Sequence, residues 1–212
     1  TATALGISMV YGRPDPLTQS SGVYRTGVTR YQDGKVEYLR DGKTATVSIL
    51  KVDKIMTIST NGKPDAGLTA LADKPTGDEL TMVLAALVPL KLHPQPERVA
   101  IIGWGSGLTT HTLLGSPIPK SVETVEIEPV MHAAARMFGE RVRRAYTDPR
   151  SKLVIDDART YFSTGARKYD VIVSEPSNPW VSGVASLFTR EFYAFLKRHL
   201  DDIGRMKETG AA

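Results

Sequence analysis

The stretch from Arg98 to Pro129 limits the possible folds of this chain more than any other. Arg98–Ile102 is a compact apolar run that empties into Gly103-Trp104-Gly105-Ser106-Gly107; Leu108–Leu114 then reads as a helix, and Val122–Glu128 as a second strand ending in carboxylates. A strand, a glycine turn, a helix start and an acidic strand end within about thirty residues is the layout of a nucleotide-binding βαβ unit. The glycines let the backbone turn tightly and approach a ligand without side-chain obstruction. Glu126, near the tip of the second strand, can accept hydrogen bonds from both ribose hydroxyls. A glycine turn alone only joins a strand to a helix. Coupled to Glu126 at this distance, it reads as a nucleoside site.

At 212 residues the chain is long enough for a proper core and reads as one domain with an appendage. The net charge is only +4, and the densest basic cluster, Arg136, Arg141, Arg143 and Arg144, reads as a solvated helix face, so no nucleic-acid partner is expected. There is no cysteine, which excludes disulfides, thiolate metal sites and a cysteine nucleophile. His93, His111, His132 and His199 are dispersed, share no ligand spacing and read as surface or helix-end residues, so no metal is expected. The apolar run Met82–Leu90 is too short to span a bilayer, and Thr1–Gly12 lacks the basic start and apolar centre of a signal peptide. The expected setting is cytoplasmic, with no membrane partner for this fragment. Whether a further region precedes Thr1, which is not a Met, is left open.

Residues 1–30, rich in Pro, Gly, Ser and Thr, read as an extended arm. Residues 31–75 read as a small antiparallel β-hairpin domain: Asp33-Gly34, Asp41-Gly42 and Asn61-Gly62 are hairpin turns around Val36–Leu39, Thr44–Leu50 and Ile55–Thr60. Residues 76–200 read as a Rossmann-like nucleoside-binding domain, and residues 201–212 as a polar tail. Thr76 and Glu79 stand at capping-box spacing, and Leu80, Val83, Leu84 and Leu87 form a stripe at helical period that is expected to be core. Val130, Ala134, Met137 and Phe138 give a further amphipathic helix started by Pro129, and Thr189–Leu200 a last one with Phe192, Leu196 and Leu200 inward. Lys152–Asp157 and Tyr169–Glu175 read as strands that end, like Val122–Glu128, on acids. The fold class is therefore α/β: a parallel sheet with helices on both faces, preceded by the hairpin domain. Ligands of such sheets sit beyond the carboxyl ends of the strands, which gathers Glu126, Asp157 and Glu175 at one rim around the glycine turn.

With these positions in view the chain resembles the spermidine synthase (polyamine aminopropyltransferase) family, and most of all the spermidine-synthase-like domains that bacteria fuse behind a transporter-like region. The likeness runs from about Ser21-Gly22-Val23-Tyr24-Arg25 to Leu200. It takes in Asp41–Val47, Asn61-Gly62-Lys63, Gly103–Gly107, Val125–Pro129, Asp148-Pro149-Arg150, Asp156–Arg159 and Tyr169–Trp180, with Ser174-Glu175-Pro176-Ser177-Asn178-Pro179-Trp180. The resemblance implies a β-hairpin domain joined to the Rossmann-like domain of S-adenosylmethionine-dependent methyltransferases. It also implies that Gly103, Gly105, Ser106 and Gly107 line the donor, Glu126 holds its ribose, and Asp157 with Ala158 bind the adenine edge. Glu175 takes the place of the aspartate that orients and deprotonates the attacking amine, and Asp65, Asp78 and Asn178 are the substrate-side candidates. The implied co-substrate is S-adenosylmethionine or its decarboxylated form, with a small amine as acceptor.

Departures from the family pattern cluster on the amine side. Ser106 stands where an aspartate grips the donor's aminopropyl ammonium, Asp65 where a glutamine binds the nucleoside, and Thr81 and Met82 near a tyrosine–histidine pair. The acid-rich signature after the fourth strand has become Glu175-Pro176-Ser177-Asn178. The family's sheet also continues with three more strands, whereas here Asp201-Asp202-Ile203-Gly204 leads into the polar tail. The open edge left on the Tyr169–Glu175 strand predicts a homo-oligomer that covers it. Three readings stay open: an aminopropyl- or methyl-transferase, a catalytically eroded nucleoside-binding module, and a hydrolase using two rim carboxylates. Trp104 either packs on the hairpin domain or stacks on a base, and Glu128 is read as a cap for the helix that Pro129 starts.

Overall fold

The computed structural model describes residue 12 and residues 15–21, 34–70, 73–177 and 183–201. Most of the expected arm, the Asp33 half of the first turn, Asn178, Trp180 and nearly all of the polar tail lie outside the described residues. Within the arm, Pro16–Ser21 forms a short helix (α1), started by Asp15, whose carboxylate accepts from the Thr18 amide at 3.0 Å.

Tight turns then make an antiparallel meander: β1 (Lys35–Asp41), β2 (Thr46–Val52), β3 (Ile55–Thr60) and β4 (Lys63–Thr69), in that order across the sheet. Asn61 and Gly62 both take positive φ, 49° and 75°, as a two-residue hairpin with the twist of its strands demands. Asp53, with φ 50°, turns β2 into β3, a bend with no Gly to announce it. β4 was not expected from the sequence, because Pro64 and Gly67 are poor strand residues. It is tolerated as the outer strand, where a missing N–H breaks no ladder on the open side.

Helix α2 (Gly77–Leu92) starts with the expected capping box: Thr76 Oγ1 accepts from the Glu79 amide at 3.1 Å, and the Glu79 carboxylate accepts from the Thr76 amide. A parallel sheet follows, made of β5 (Arg98–Ile102), β6 (Ser121–Glu126), β7 (Ser151–Ile155) and β8 (Val171–Ser174), in the order β7-β6-β5-β8. Its connections carry α3 (Leu108–Leu113), α4 (Pro129–Ala135), α5 (Arg143–Thr147) and α6 (Ala158–Ser163); α7 (Arg190–Lys197) follows β8.

Alternation along β5 divides the core. Val99 and Ile101 face Ala86 of α2 and Leu113 of α3, while Ala100 and Ile102 face Tyr161, Phe162, Phe192 and Leu196 of α6 and α7. A further cluster joins the two sheets: Val47, Ile49, Ile58, Ala66 and Leu68 of the meander pack on Trp104, Leu108, Met131, Ala134 and Phe138. The hairpin sheet therefore rests on the glycine turn and α4.

Several expectations need correction. Of the expected α2 stripe only Val83 packs against the core: Leu80 is 59% exposed and Leu84 and Leu87 46% each, while the buried residues of that helix are Glu79 and Ala86. Ala86 packs towards Val171 and Val173 of β8, and among the described residues nothing covers the leucines beside it. The helix begun by Pro129 stops at Ala135 and gives way to a 3₁₀ stretch, broken at Gly139 (φ 56°, ψ −126°), which leaves Met137 exposed and Phe138 buried. His199 is not a surface residue; it is buried against Phe162 and Phe195. Beyond β8, among the described residues, the sheet gains only a single parallel bridge between Tyr169 and Leu200. No helix among the described residues is long and apolar enough to cross a membrane.

Candidate functional site

The glycine turn is shaped by close approaches. Gly103 takes φ +97°, and a Cβ there would stand 2.6 Å from the Glu175 carbonyl oxygen, so the crossing of β5 and β8 has room only for glycine. Gly103 and Gly105 reach the surface, whereas Trp104, Ser106 and Gly107 are buried. Trp104 is a packing residue. Its indole donates to the Tyr146 hydroxyl at 3.2 Å and sits edge-on to His132, 4.6 Å between ring centres, inside the core shared with the hairpin sheet.

Glu126 ends β6 directly beneath this turn. It is 7% exposed, and each carboxylate oxygen accepts one backbone amide at 2.8 Å, Oε2 from Trp104 and Oε1 from Glu128. Burial drives its pKa upward against the stabilising pull of those two amides, and the nearby charges of Asp65 and Glu128 push the same way as burial. Two amides fix the plane of the carboxylate and leave each oxygen a free lone pair, the pattern required to receive a cis-diol.

The other acids of the rim are placed differently. Asp157 caps α6, its Oδ1 accepting from the Thr160 amide at 2.9 Å, and Ala158 behind it is buried. Glu175 turns towards α3, where its Oε2 accepts from the Thr109 hydroxyl at 2.6 Å. Burial raises its pKa, partly offset by that hydrogen bond. Ser106 is fully buried; its hydroxyl contacts Met82 Sδ at 3.1 Å and accepts from the Leu108 amide at 3.3 Å. Asp78, at the start of α2, accepts from the Gly67 amide at 3.1 Å.

Asp65 on β4 joins the hairpin sheet to the end of β8. Its carboxylate accepts from Ser177 Oγ at 2.8 Å and from the Thr60 hydroxyl, and it pairs with Lys63 Nζ at 2.5 Å. Lys63 is itself only 7% exposed. A buried lysine beside the acids of this site was missed from the sequence, as was Thr109. Its signal was available only as strand alternation, since Lys63 and Asp65 share one face of a strand that Pro64 and Gly67 disguise.

A parallel sheet with a glycine turn, an acid closing its second strand and a hairpin sheet over the turn make a Rossmann-like domain of the methyltransferase type. The spermine/spermidine synthase domain family matches residues 82–207, and the chain belongs to that family. The polyamine aminopropyltransferase of Pyrobaculum calidifontis is 35% identical over 117 residues, covering 53% of this chain and 40% of that protein. The Bacillus subtilis polyamine aminopropyltransferase is 31% identical over 121 residues, 57% of this chain and 44% of its relative. Among solved structures, a spermidine synthase bound to the transition-state analogue AdoDATO superposes with a TM-score of 0.67 at 26% identity, covering 79% of this chain and 55% of that one. The Thermotoga maritima spermidine synthase gives 0.65 at 26% identity, over 79% and 54%. The chain thus spans about half or less of the length of these relatives.

Proposed function

We propose that this chain is a transferase domain that binds decarboxylated S-adenosylmethionine, or S-adenosylmethionine itself, and passes an aminopropyl or methyl group to an amine. The observation that carries the proposal is Glu126, buried, fixed by two amides and left with lone pairs for a ribose diol. Gly103 and Gly105 would wall the donor, with Ser106 and Gly107, both buried, shaping the turn behind them rather than touching it; Asp157 and Ala158 would meet the adenine edge, and Glu175 would serve the acceptor, with Asp65, Asp78 and Asn178 around it. In the reaction the amine lone pair forms a bond to the carbon beside the sulfonium as the C–S bond breaks. Methylthioadenosine (or S-adenosylhomocysteine, for methyl transfer) leaves, and a proton passes from the new ammonium to a base. Burial holds the Glu175 pKa above the ordinary carboxylate range, closer to working pH, which suits that base. The protein's remaining contribution is alignment of donor and acceptor.

The divisions at 1–30, 31–75, 76–200 and 201–212, a cytoplasmic setting without a nucleic-acid partner, and a homo-oligomer over the β8 edge belong to the same proposal. The exposed Leu80, Leu84, Leu87 and Leu92 beside that edge support the oligomer. The hydrolase reading is not favoured, because the relatives carry transferase names. The binding-module reading retains one specific support: Ser106 is buried under Met82, so no carboxylate from the turn meets the donor's tail.

The test is calorimetric titration with S-adenosylmethionine, its decarboxylated form and methylthioadenosine, paired with an assay for methylthioadenosine release in the presence of putrescine. Binding with release that Glu175→Gln abolishes is the expected result. Binding without release in any amine would leave the module, and no nucleoside binding would end the proposal.

A further inference from the structure

Glu128 does more than start a helix. Its Oε1 accepts from the Val130 amide at 3.0 Å, which is all that capping α4 requires. Its Oε2 is turned the other way, into the β1–β2 loop of the hairpin sheet. There it accepts from the Thr44 amide at 2.6 Å, the Thr44 hydroxyl at 2.9 Å and the Ala45 amide at 3.2 Å. The loop closes so tightly on this carboxylate that any Cβ at Gly42 would collide with it. Glu128 is 3% exposed, so these are sheltered, charge-assisted bonds. Burial opposes its charge, but the amides of Thr44 and Val130 and the Thr44 hydroxyl outweigh that and hold its pKa below the ordinary range. The backbone of the same residue donates to Glu126 Oε1 at 2.8 Å.

We propose that Glu128 is a positioning residue: it latches the hairpin sheet to the Rossmann-like domain through Gly42–Ala45 and, through its own amide, fixes the Glu126 carboxylate that receives the ribose. One residue thus ties the seating of the hairpin sheet, which brings Asp65 over the site, to the orientation of the donor-holding acid. This rests on the nucleoside reading above.

Glu128→Asp separates latch from cap. Aspartate is a good N-cap, keeps the charge and keeps the backbone amide, but is one methylene too short to hold Thr44 and Ala45. With methylthioadenosine as probe, the dissociation constant of folded E128D is expected to rise about fivefold or more. Thr44→Val, which removes the hydroxyl from the other side, is expected to cost less, and the double variant to bind no worse than E128D alone. Amide hydrogen exchange at Thr44 and Ala45 should quicken in E128D without ligand present. Should E128D fail to fold, Gly42→Ala displaces the loop with Glu128 intact and is expected to weaken binding likewise. Unchanged affinity in E128D, or losses in E128D and T44V that simply add, would overturn the latch. If the parent chain binds no nucleoside, the nucleoside reading fails by itself; the exchange rates then decide the latch, with unchanged rates at Thr44 and Ala45 overturning it.

Discussion

On the function proposed above, the donor side and the acceptor side of this site are held by different kinds of partner. On the donor side, Glu126 is held by backbone amides alone, which orient a carboxylate without neutralising it by a cation. On the acceptor side two of the three acids are already answered by side chains, Asp65 by Lys63, Ser177 and Thr60, and Glu175 by Thr109, while Asp78 accepts from the Gly67 amide. A backbone-held acid presents its remaining lone pairs to a neutral diol. An acid paired with a buried lysine has little left for a polycation, whose recognition calls for several unpaired carboxylates. On the function proposed above, we read the contrast as a donor side that is kept and an acceptor side that is altered.

Four substitutions would break or sharpen that contrast. The largest effect is expected from Glu126→Gln, which loses the charge and sets an NH₂ against one of the two amides. Methylthioadenosine affinity should fall about 100-fold, roughly 3 kcal/mol, by calorimetry; a loss under about threefold would remove the donor side's special standing. Next is Gly103→Ala, whose methyl has no room against the Glu175 carbonyl at a positive φ. A loss of about 2–3 kcal/mol in urea unfolding is expected. Lys63→Met strands Asp65 as an unpaired, mostly buried carboxylate. It should lower stability by about 2 kcal/mol, and added putrescine should raise the melting temperature of the variant more than that of the parent. Equal responses to putrescine would mean that Lys63 does not screen the acceptor side.

The smallest effect concerns pH. Burial raises the Glu175 pKa, so the folded chain holds this proton more tightly than the unfolded chain does. The stability from this group is therefore fully present below the ordinary carboxylate pKa and declines as pH rises towards the raised value. Glu175→Gln removes the decline. It should be more stable than the parent by on the order of 1 kcal/mol at about pH 8, a rise of roughly 2–4 °C in melting temperature, and gain nothing near pH 4. A gain that is constant across pH would contradict the burial argument.

The donor side was legible in the sequence because its signals are local. A β-branched strand, a glycine turn and an acid at a fixed distance specify one another within a single βαβ unit, and Glu126 lies where that unit requires. The acceptor side was not, because its pairings join distant segments. Lys63 and Asp65 lie on a strand masked by Pro64 and Gly67, and Glu175 meets Thr109 only when β8 packs beside the glycine turn. Helical period showed that Leu80, Leu84 and Leu87 share one face of α2, but not that the face would be left uncovered. Glu128 was legible as a cap from Pro129; its second grip, on Thr44, depends on how the two sheets dock.

The most direct measurement is a crystal structure of the chain soaked with methylthioadenosine. The account predicts the nucleoside lying across Gly103–Gly107 with both ribose hydroxyls hydrogen-bonded to the Glu126 carboxylate, whose bonds to the Trp104 and Glu128 amides persist. A nucleoside bound elsewhere, or a hollow above the turn filled by protein side chains, would contradict it.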